Sequence, residues 1–263
     1  MPALRTDAVV LHAFNYLETS RIFRIATREA GIQSVLARGA RRPKSRYGSA
    51  LDLFASGSAE VYIKAGRELH TLASFDVARS RGQLAADLDR FTAASAIAEL
   101  AMRFASPESH AELYDALVTT LDALAVSPPG SAVDVALGGA WTLIAQLGFA
   151  PSVDLCAMCH AAVPPEDAAS FSHPSGGVLC RRCTQLGRTS RVLPAAARSA
   201  LRAWIGGGFA PLSDAPERRA HQRLLREFLA EHLADGRPLR AYDVWERNSW
   251  SATGVASVAG AGP

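Results

Sequence analysis

The chain lacks a long uninterrupted hydrophobic run. Its longest apolar stretch, Ala132 to Ala150, contains Asp134, Gly138, Gly139 and Gln146. A membrane-spanning helix needs about 20 predominantly apolar residues, so this stretch is predicted to be a buried helix of a soluble protein with no membrane partner. Met1 to His12 holds one arginine and no apolar core, so we expect no secretory signal and a cytoplasmic, reducing environment.

Cysteine is also scarce, and its placement is informative. The four cysteines form two Cys-x-x-Cys pairs separated by twenty residues: Cys156, Cys159, Cys180 and Cys183. A reducing compartment favours metal ligation over disulfides. Two such pairs deliver four thiolates to one tetrahedral ion. The sequence therefore predicts one structural Zn²⁺ whose coordination shell is closed to water, with His160 and His173 beside the site rather than in it.

Acidic residues are absent from Ala168 to Ser213, a segment with six arginines. Two of these, Arg181 and Arg182, lie between predicted zinc ligands. Two interpretations stay open at this point. The arginines form a second nucleic-acid surface, or they compensate the negative charge of a zinc tetrathiolate.

Charge is unevenly distributed along the 263 residues. Residues 1–80 carry a net charge of +5, residues 81–150 carry −5, and residues 151–263 carry +3. Two basic regions that flank an acidic middle indicate a chain whose ends meet a polyanion.

The first eighty residues have the short alternating pattern of β-strands. The predicted strands cover Ala8–Leu11, Ser20–Thr27, Ser34–Ala37, the region of Leu51 and Leu53, and Val61–Ile63, with a hairpin tip at Ala65–Arg67 and a return through Leu69 and Leu72. Five short strands favour a small closed barrel such as an OB-fold. An SH3-like barrel has similar strand statistics and stays open.

A basic loop is predicted between the third and fourth strands. It has five positive charges and no acid, and Gly39 and Pro43 prevent a regular helix. The candidate phosphate contacts are Arg38, Arg41, Arg42, Lys44 and Arg46. Tyr47 and Phe54 follow closely and are expected to be available for stacking on bases. A solvated loop without a specific role is the alternative.

The remaining sequence is predominantly helical in pattern. Ser106 and Pro107 are predicted to begin a helix and Gly236 to end one, and the acidic residues of 81–150 are expected on a solvated face. We therefore predict an α+β chain: an OB-fold barrel at 1–80, a helical domain in two parts at 81–150 and 191–248, an inserted zinc-ribbon-like module with four cysteines at 151–190, and a disordered tail at 249–263.

An enzymatic site is not indicated. His110 and Glu112 have the His-x-Glu spacing of zinc deaminases, but the first Cys-x-x-Cys follows Leu155 rather than proline, and this assignment leaves Cys180 and Cys183 without a role. The sequence shows no acidic cluster for magnesium and no open zinc position. We therefore expect no catalytic residues.

With these segments identified, the chain resembles the bacterial RecO family of recombination mediators. The resemblance extends to about Asn248, and Ala37 to Arg46 is its most specific part. The residues that carry it are Thr6–Leu11, Tyr16–Ser20, Ile25–Thr27, Gly31, Ala37–Arg46, Gly48, Leu51, the two Cys-x-x-Cys pairs and Arg237–Arg240.

The resemblance implies a non-enzymatic, nucleoid-associated protein that binds single- and double-stranded DNA and anneals complementary strands. It implies that the protein works with RecR to help RecA bind DNA coated by single-stranded DNA-binding protein, and that it contacts the C-terminal tail of that coating protein. It also implies phosphate contacts by the basic loop and metal ligation by the four cysteines. A zinc-ribbon RNA-binding protein acting on ribosomes or tRNA is the alternative.

Overall fold

Two separately packed units make up the chain, Met1–Val126 and Ser127–Pro263, called here the barrel unit and the helical unit. The computed structural model describes residues 3–45, 47, 51–105, 108, 110–186, 190–233 and 237–255. Within these residues, no helix combines the length and the hydropathy needed to cross a membrane. The finer division into five segments stays a prediction.

Five strands close the N-terminal barrel. They are β1 (Ala3–Tyr16), β2 (Ser20–Thr27), β3 (Gly31–Ala37), β4 (Ser56–Tyr62) and β5 (Leu69–Arg79). Their order around the barrel is β1-β2-β3-β5-β4. Neighbouring strands are antiparallel except β3 and β5, which are parallel. The predicted five-stranded OB-fold barrel is confirmed.

The barrel is filled by apolar side chains from alternating strand positions. The buried set includes Ala8, Val10, Phe23, Ile25, Val35, Ala37, Ala59, Val61, Leu72 and Phe75. Close strand packing also requires a glycine: a Cβ on Gly57 would lie 2.0 Å from the carbonyl oxygen of Asp76 on the neighbouring strand. Gly57 thus allows β4 to lie against β5.

A β-bulge divides β1 into two halves. The register with β2 shifts between Val10 and His12, so Leu11 is the extra residue. A bulge re-aims the side chains that follow it. Val10 faces the core before the bulge and Ala13 packs against the core after it. The residues that now alternate on the outer face, all exposed, are His12, Phe14 and Tyr16.

The strand predicted around Leu51 and Leu53 is wrong. Both residues lie in turns, and β4 begins at Ser56. Alternating leucines suggested a strand, but Phe54 adopts a left-handed backbone conformation with φ of 66°, which interrupts an extended chain. Leu51 packs into the barrel core from this loop.

Helices follow the barrel within the same unit, and the described residues contain three of them: α1 (Gly82–Ala85), α2 (Leu88–Phe104) and α3 (Ala111–Val126). The predicted helix start at Ser106 and Pro107 lies outside the described residues. At the start of α3, the backbone N–H of Leu113 donates to Nδ1 of His110 at 3.2 Å. His110 therefore satisfies one of the free donors of the first helical turn.

The acidic residues of α3 hold the barrel rather than only facing solvent. Asp122 accepts from Nε of Arg81 at 2.8 Å and from Arg79 at 2.6 Å, and Arg81 is nearly fully buried. Asp115 forms a two-pronged ion pair with Arg28 between β2 and β3. Asp115 is exposed, as expected of a solvated face, whereas Asp122 is only partly exposed because the barrel arginines lie against its carboxylate.

The helical unit combines helices with one small sheet. Its elements, in the part of the chain that the structure describes, are α4 (Ala132–Gln146), β6 (Ala169–Ser172), β7 (Gly177–Leu179), α5 (Arg181–Thr184), β8 (Arg191–Leu193), α6 (Ala195–Ile205), α7 (Ala215–His232) and α8 (Arg240–Val255). The sheet has the order β7-β6-β8. Strands β6 and β7 form an antiparallel hairpin between the two cysteine pairs.

Helix α4 lies at the centre of this unit. Trp141 contacts Phe228 of α7 edge-to-face, with ring centroids 5.2 Å apart. The buried Asp134 pairs with Arg218 of α7 at 2.6 Å. A Cβ on Gly138 would lie 3.1 Å from the Trp204 ring, so glycine here lets α6 approach α4 closely. An apolar core and one buried ion pair thus join these helices.

The C-terminal segment is more ordered than the sequence predicts. Residues 249–255, expected to begin a disordered tail, belong to α8. Nε1 of Trp250 donates to Gln222 of α7 at 2.8 Å, and Gln222 donates to Ser249 at 2.9 Å. These side-chain contacts extend the helix past Asn248. The predicted helix end at Gly236 and residues 256–263 of the tail lie outside the described residues.

Candidate nucleic-acid interface and metal centre

The four cysteines meet at one point in the helical unit. Their sulfur atoms all lie within 4.8 Å of one another. Cys156 and Cys183 are buried, and the other two are partly exposed. The sulfurs of Cys159 and Cys180 are 3.7 Å apart. Sulfurs placed tetrahedrally about 2.3 Å from a zinc ion are roughly 3.8 Å apart, so the donor set fits a tetrathiolate metal site.

Local backbone structure shapes each cysteine pair. In the first pair, the N–H of His160 donates to the Cys156 carbonyl at 2.8 Å, and His160 adopts a φ of 58°. In the second pair, Cys180 is the N-cap residue of α5 and its carbonyl accepts from Thr184 at 2.9 Å. A tight turn and a short helix therefore point the four sulfurs inward.

The electrostatics of the cluster also favour a cation. Burial opposes ionisation of the Cys156 thiol, but backbone N–H groups, including that of Cys180, lower its pKa to about 6. Burial and the neighbouring cysteines raise the pKa of Cys183 to about 12. Four thiolates this close repel one another, and a bound divalent ion removes that repulsion. The cluster could therefore hold a metal ion when all four thiols are ionised.

Neither predicted neighbouring histidine belongs to this cluster. His160 is exposed on the turn beside Cys159. His173 lies in the β6–β7 turn, with Nε2 3.3 Å from the carbonyl of Leu224 on α7. The backbone carbonyl of His173 in turn contacts Nε2 of His232 at 2.7 Å. His173 thus joins the hairpin to α7 and is not one of the clustered residues.

One buried arginine forms hydrogen bonds with the backbone of the segment that precedes β6. The side chain of Arg198 on α6 is fully buried and donates to backbone carbonyls at Val153, Val163, Pro164 and Asp167. Burial lowers the pKa of Arg198, and Arg202 lowers it further. Its role is to fix the segment around the first cysteine pair, so it is unavailable to a phosphate.

Two further arginines of the acid-free segment have acidic partners. Arg191 pairs with Glu227 at 2.8 Å, and Nε of Arg202 donates to Asp154 at 2.7 Å. Arg181 and Arg182 lie on α5 beside the cysteine cluster, and both are exposed. The sixth arginine of the segment, Arg188, lies outside the described residues. Among the described arginines of the segment, the candidate surface centres on Arg181 and Arg182.

The basic loop lies between β3 and β4 of the barrel. Its exposed cations are Arg38, Arg41, Arg42 and Lys44. Gly39, with φ of 73°, makes the turn after β3, and the N–H of Arg41 donates to the carbonyl of Thr19 at 2.9 Å. The loop is thus anchored to the β1–β2 turn. Arg46 lies outside the described residues.

The aromatic residues next to this loop are not those predicted. Tyr47 and Phe54 are core residues: the Tyr47 hydroxyl donates to the carbonyl of Leu72 at 2.8 Å, and Phe54 packs against Phe91 of α2. Tyr16, which is 39% exposed, instead lines a cleft of about 520 Å³ with Arg38 and Arg42. No residue pattern signals the β1 bulge that exposes Tyr16.

Comparison with known proteins identifies the family. The N-terminal model of recombination protein O matches residues 1–81, and its C-terminal model matches residues 85–241. The DNA repair protein RecO of Anaeromyxobacter dehalogenans is 38% identical over 250 residues, covering 92% of this chain and 95% of that protein. The Rubrobacter xylanophilus protein of the same name is 32% identical over 234 residues, covering 89% and 92%. The chain therefore belongs to the RecO family of DNA repair proteins.

Proposed function

We propose that the protein is a non-enzymatic DNA-binding mediator of recombinational repair that binds single- and double-stranded DNA and anneals complementary strands. The observation that carries this proposal is the group of four exposed cations on an OB-fold barrel, Arg38, Arg41, Arg42 and Lys44. None of them has an ion-pair partner within the part of the chain that the structure describes. Unpaired cations are free to replace the counterions of DNA phosphates.

Annealing needs no bond chemistry. Two polyanions approach each other when a protein neutralises part of their charge, and bases find partners when binding leaves the strands mobile. An anchored loop with flexible arginine and lysine side chains supplies charge without rigid contacts to bases. Arg46 extends the same basic run, and Arg181 and Arg182 of α5 form the second proposed contact region.

The metal centre is proposed to be structural. Cys156, Cys159, Cys180 and Cys183 would hold one Zn²⁺, and the ion would neutralise thiolate charge and fix the two turns that carry the cysteines. Four protein ligands leave no position for a reactive water. Within this arrangement Arg181 and Arg182 keep fixed backbone positions at the DNA.

We assign the partners by family membership. The protein would act in the cytoplasm at the nucleoid, with RecR, on single-stranded DNA covered by its binding protein, and it would contact the C-terminal tail of that binding protein. Assembly of RecA on the strand would follow indirectly. The family match gives no support to the alternative of an RNA-binding protein acting on ribosomes or tRNA.

The loop is tested by removing its charge. Arg41→Ala, Arg42→Ala and Lys44→Ala in one variant should weaken DNA binding for all sequences. The slope of log affinity against log salt concentration should fall by up to about 3, one unit for each lost phosphate contact. Fluorescence anisotropy across a salt series measures both quantities.

The matched control keeps the charge and changes the side chains: Arg41→Lys, Arg42→Lys and Lys44→Arg. This variant should retain the salt slope of the parent protein, because counterion release depends on charge. An alanine variant with the parental slope would remove the loop from the proposed interface.

A further inference from the structure

We propose that three rings on the outer face of β1 form a stacking surface for unpaired DNA bases, which adds affinity for single strands to the affinity that phosphate contacts supply. The residues are His12, Phe14 and Tyr16, called here the ring row. This inference rests on the proposed DNA-binding function and adds to it the part of the DNA that the surface recognises. Phosphate contacts alone do not distinguish paired from unpaired bases.

The β1 bulge creates the ring row. Beyond Leu11, alternate residues turn away from the core, so three ring side chains follow one another on the outer face. Phe14 and Tyr16 are 49% and 39% exposed. An exposed phenylalanine on a strand gains nothing from the barrel core, whereas a base stacked on it would cover its apolar face.

The ring row is held in place before any ligand arrives. The rings of His12 and Phe14 contact each other edge-to-face, with centroids 4.4 Å apart. On the same face of the sheet, Phe14 lies opposite Ile22 of β2, and Ile22 lies opposite Leu36 of β3. These apolar neighbours support the rings from one side. Preorganised rings lose less conformational entropy when a base binds.

The ring row is continuous with the basic loop. Tyr16 lines the same cleft as Arg38 and Arg42. A strand that places a base against Tyr16 therefore has two cations available for its phosphates. This charge complementarity fits a nucleic-acid strand, whose phosphates and bases alternate along the chain, and membership of a DNA repair family indicates DNA.

The spacing of the rings selects an unpaired strand. The His12 and Phe14 rings contact each other and act as one platform. The next ring, Tyr16, is two residues beyond Phe14 on β1, a backbone separation of roughly 6.8 Å, about twice the 3.4 Å rise between stacked bases in duplex DNA. Successive bases reach successive rings only when the strand is extended and its own stacking is broken. Bases inside a duplex are covered on both faces and cannot take these positions.

The test compares two probes that carry the same phosphates: an oligothymidine and an abasic oligonucleotide of equal length. The parent protein should bind the oligothymidine about tenfold or more tightly, because each stacked base adds affinity. The variant Phe14→Ala/Tyr16→Ala should bind the two probes equally, with an unchanged salt slope. The variant Phe14→Tyr/Tyr16→Phe retains both rings and should keep the preference.

Circular dichroism and thermal unfolding verify that the alanine variant keeps its barrel. Equal binding of both probes by the parent, or an undiminished preference in the folded alanine variant, would overturn the ring row. Tighter parental binding of oligouridine than of oligothymidine would overturn the assignment to DNA. Failure of the parent to bind any DNA with a salt-dependent affinity is a different result, since it would remove the proposed function as well.

Discussion

Arginine side chains meet two different environments in this chain. Arg41 and Arg42 project from the basic loop into solvent, where their charge is available to a ligand. Arg198 is fully buried and its donors are used by backbone carbonyls. Exposed and buried arginines both occur in basic stretches of the sequence. The sequence alone does not distinguish them, because the burial of a side chain depends on residues that are distant along the chain.

The role of Arg198 predicts a large stability effect. Arg198→Ala leaves several buried carbonyls without donors, and loss of such a charged, hydrogen-bonded group costs about 3–5 kcal/mol. Arg202→Ala removes a partly exposed ion pair with Asp154 and should cost less than about 1 kcal/mol. Urea unfolding followed by tryptophan fluorescence measures both, since all four tryptophans lie in the helical unit. Equal losses of unfolding free energy in the two variants would contradict the structural role assigned to Arg198.

The buried His221 predicts that the stability of the helical unit depends on pH. Burial lowers its pKa from 6.5 to about 4, although Glu217 and Asp134 act in the opposite direction. The unfolded chain therefore takes up the proton first as the pH falls. Stability is fully present above pH 6.5 and is lost as the pH falls towards 4, by about 2 kcal/mol between pH 7 and pH 5.

His221→Phe is the matched variant, because it keeps a ring against Trp204 and cannot titrate. Its free energy of unfolding should fall less between pH 7 and pH 5 than that of the parent protein. Some dependence should remain, since burial also lowers the pKa of His173. An identical loss in the parent and in the variant would exclude His221 as the source.

At the scale of elements, regular patterns were predictable and irregular ones were not. The β2 strand follows directly from its apolar spacing, and the cysteine spacing predicted that the four sulfurs would lie together. The β1 bulge has no residue signature, so the exposure of Phe14 and Tyr16 was missed. Tyr47 and Phe54 were misassigned because proximity to a basic loop in sequence does not reveal that their rings turn into the barrel and against α2.

The metal module makes a prediction at this scale. Metal analysis should find about one zinc ion per chain. Cys180→Ser should lose the ion and loosen the hairpin of β6 and β7, which contacts α7 through His173. His160→Ala changes an exposed neighbour and should retain the metal. A metal-free parent protein that is fully folded would refute the structural role of zinc.

At the scale of the whole molecule, charge alternates along the chain. The barrel strands and the C-terminal region are basic, and the middle helices are acidic. Within the middle region, Asp115 and Asp122 neutralise barrel arginines, so the sequence charge overstates what a ligand meets there. The basic loop keeps its charge. The proposed mediator function depends on the unpaired cations of the basic loop, because arginines that already pair with carboxylates contribute less charge to DNA binding.

Strand annealing tests the proposed mediator function most directly. Complementary DNA strands, each coated with single-stranded DNA-binding protein, are mixed with the parent protein or with the triple alanine variant of Arg41, Arg42 and Lys44, and duplex formation is followed by energy transfer between end labels. The parent should accelerate annealing without a nucleotide cofactor and leave the strands intact, and the variant should be much slower. Equal annealing rates with and without the parent protein, or cleavage of the strands by it, would contradict the proposed function.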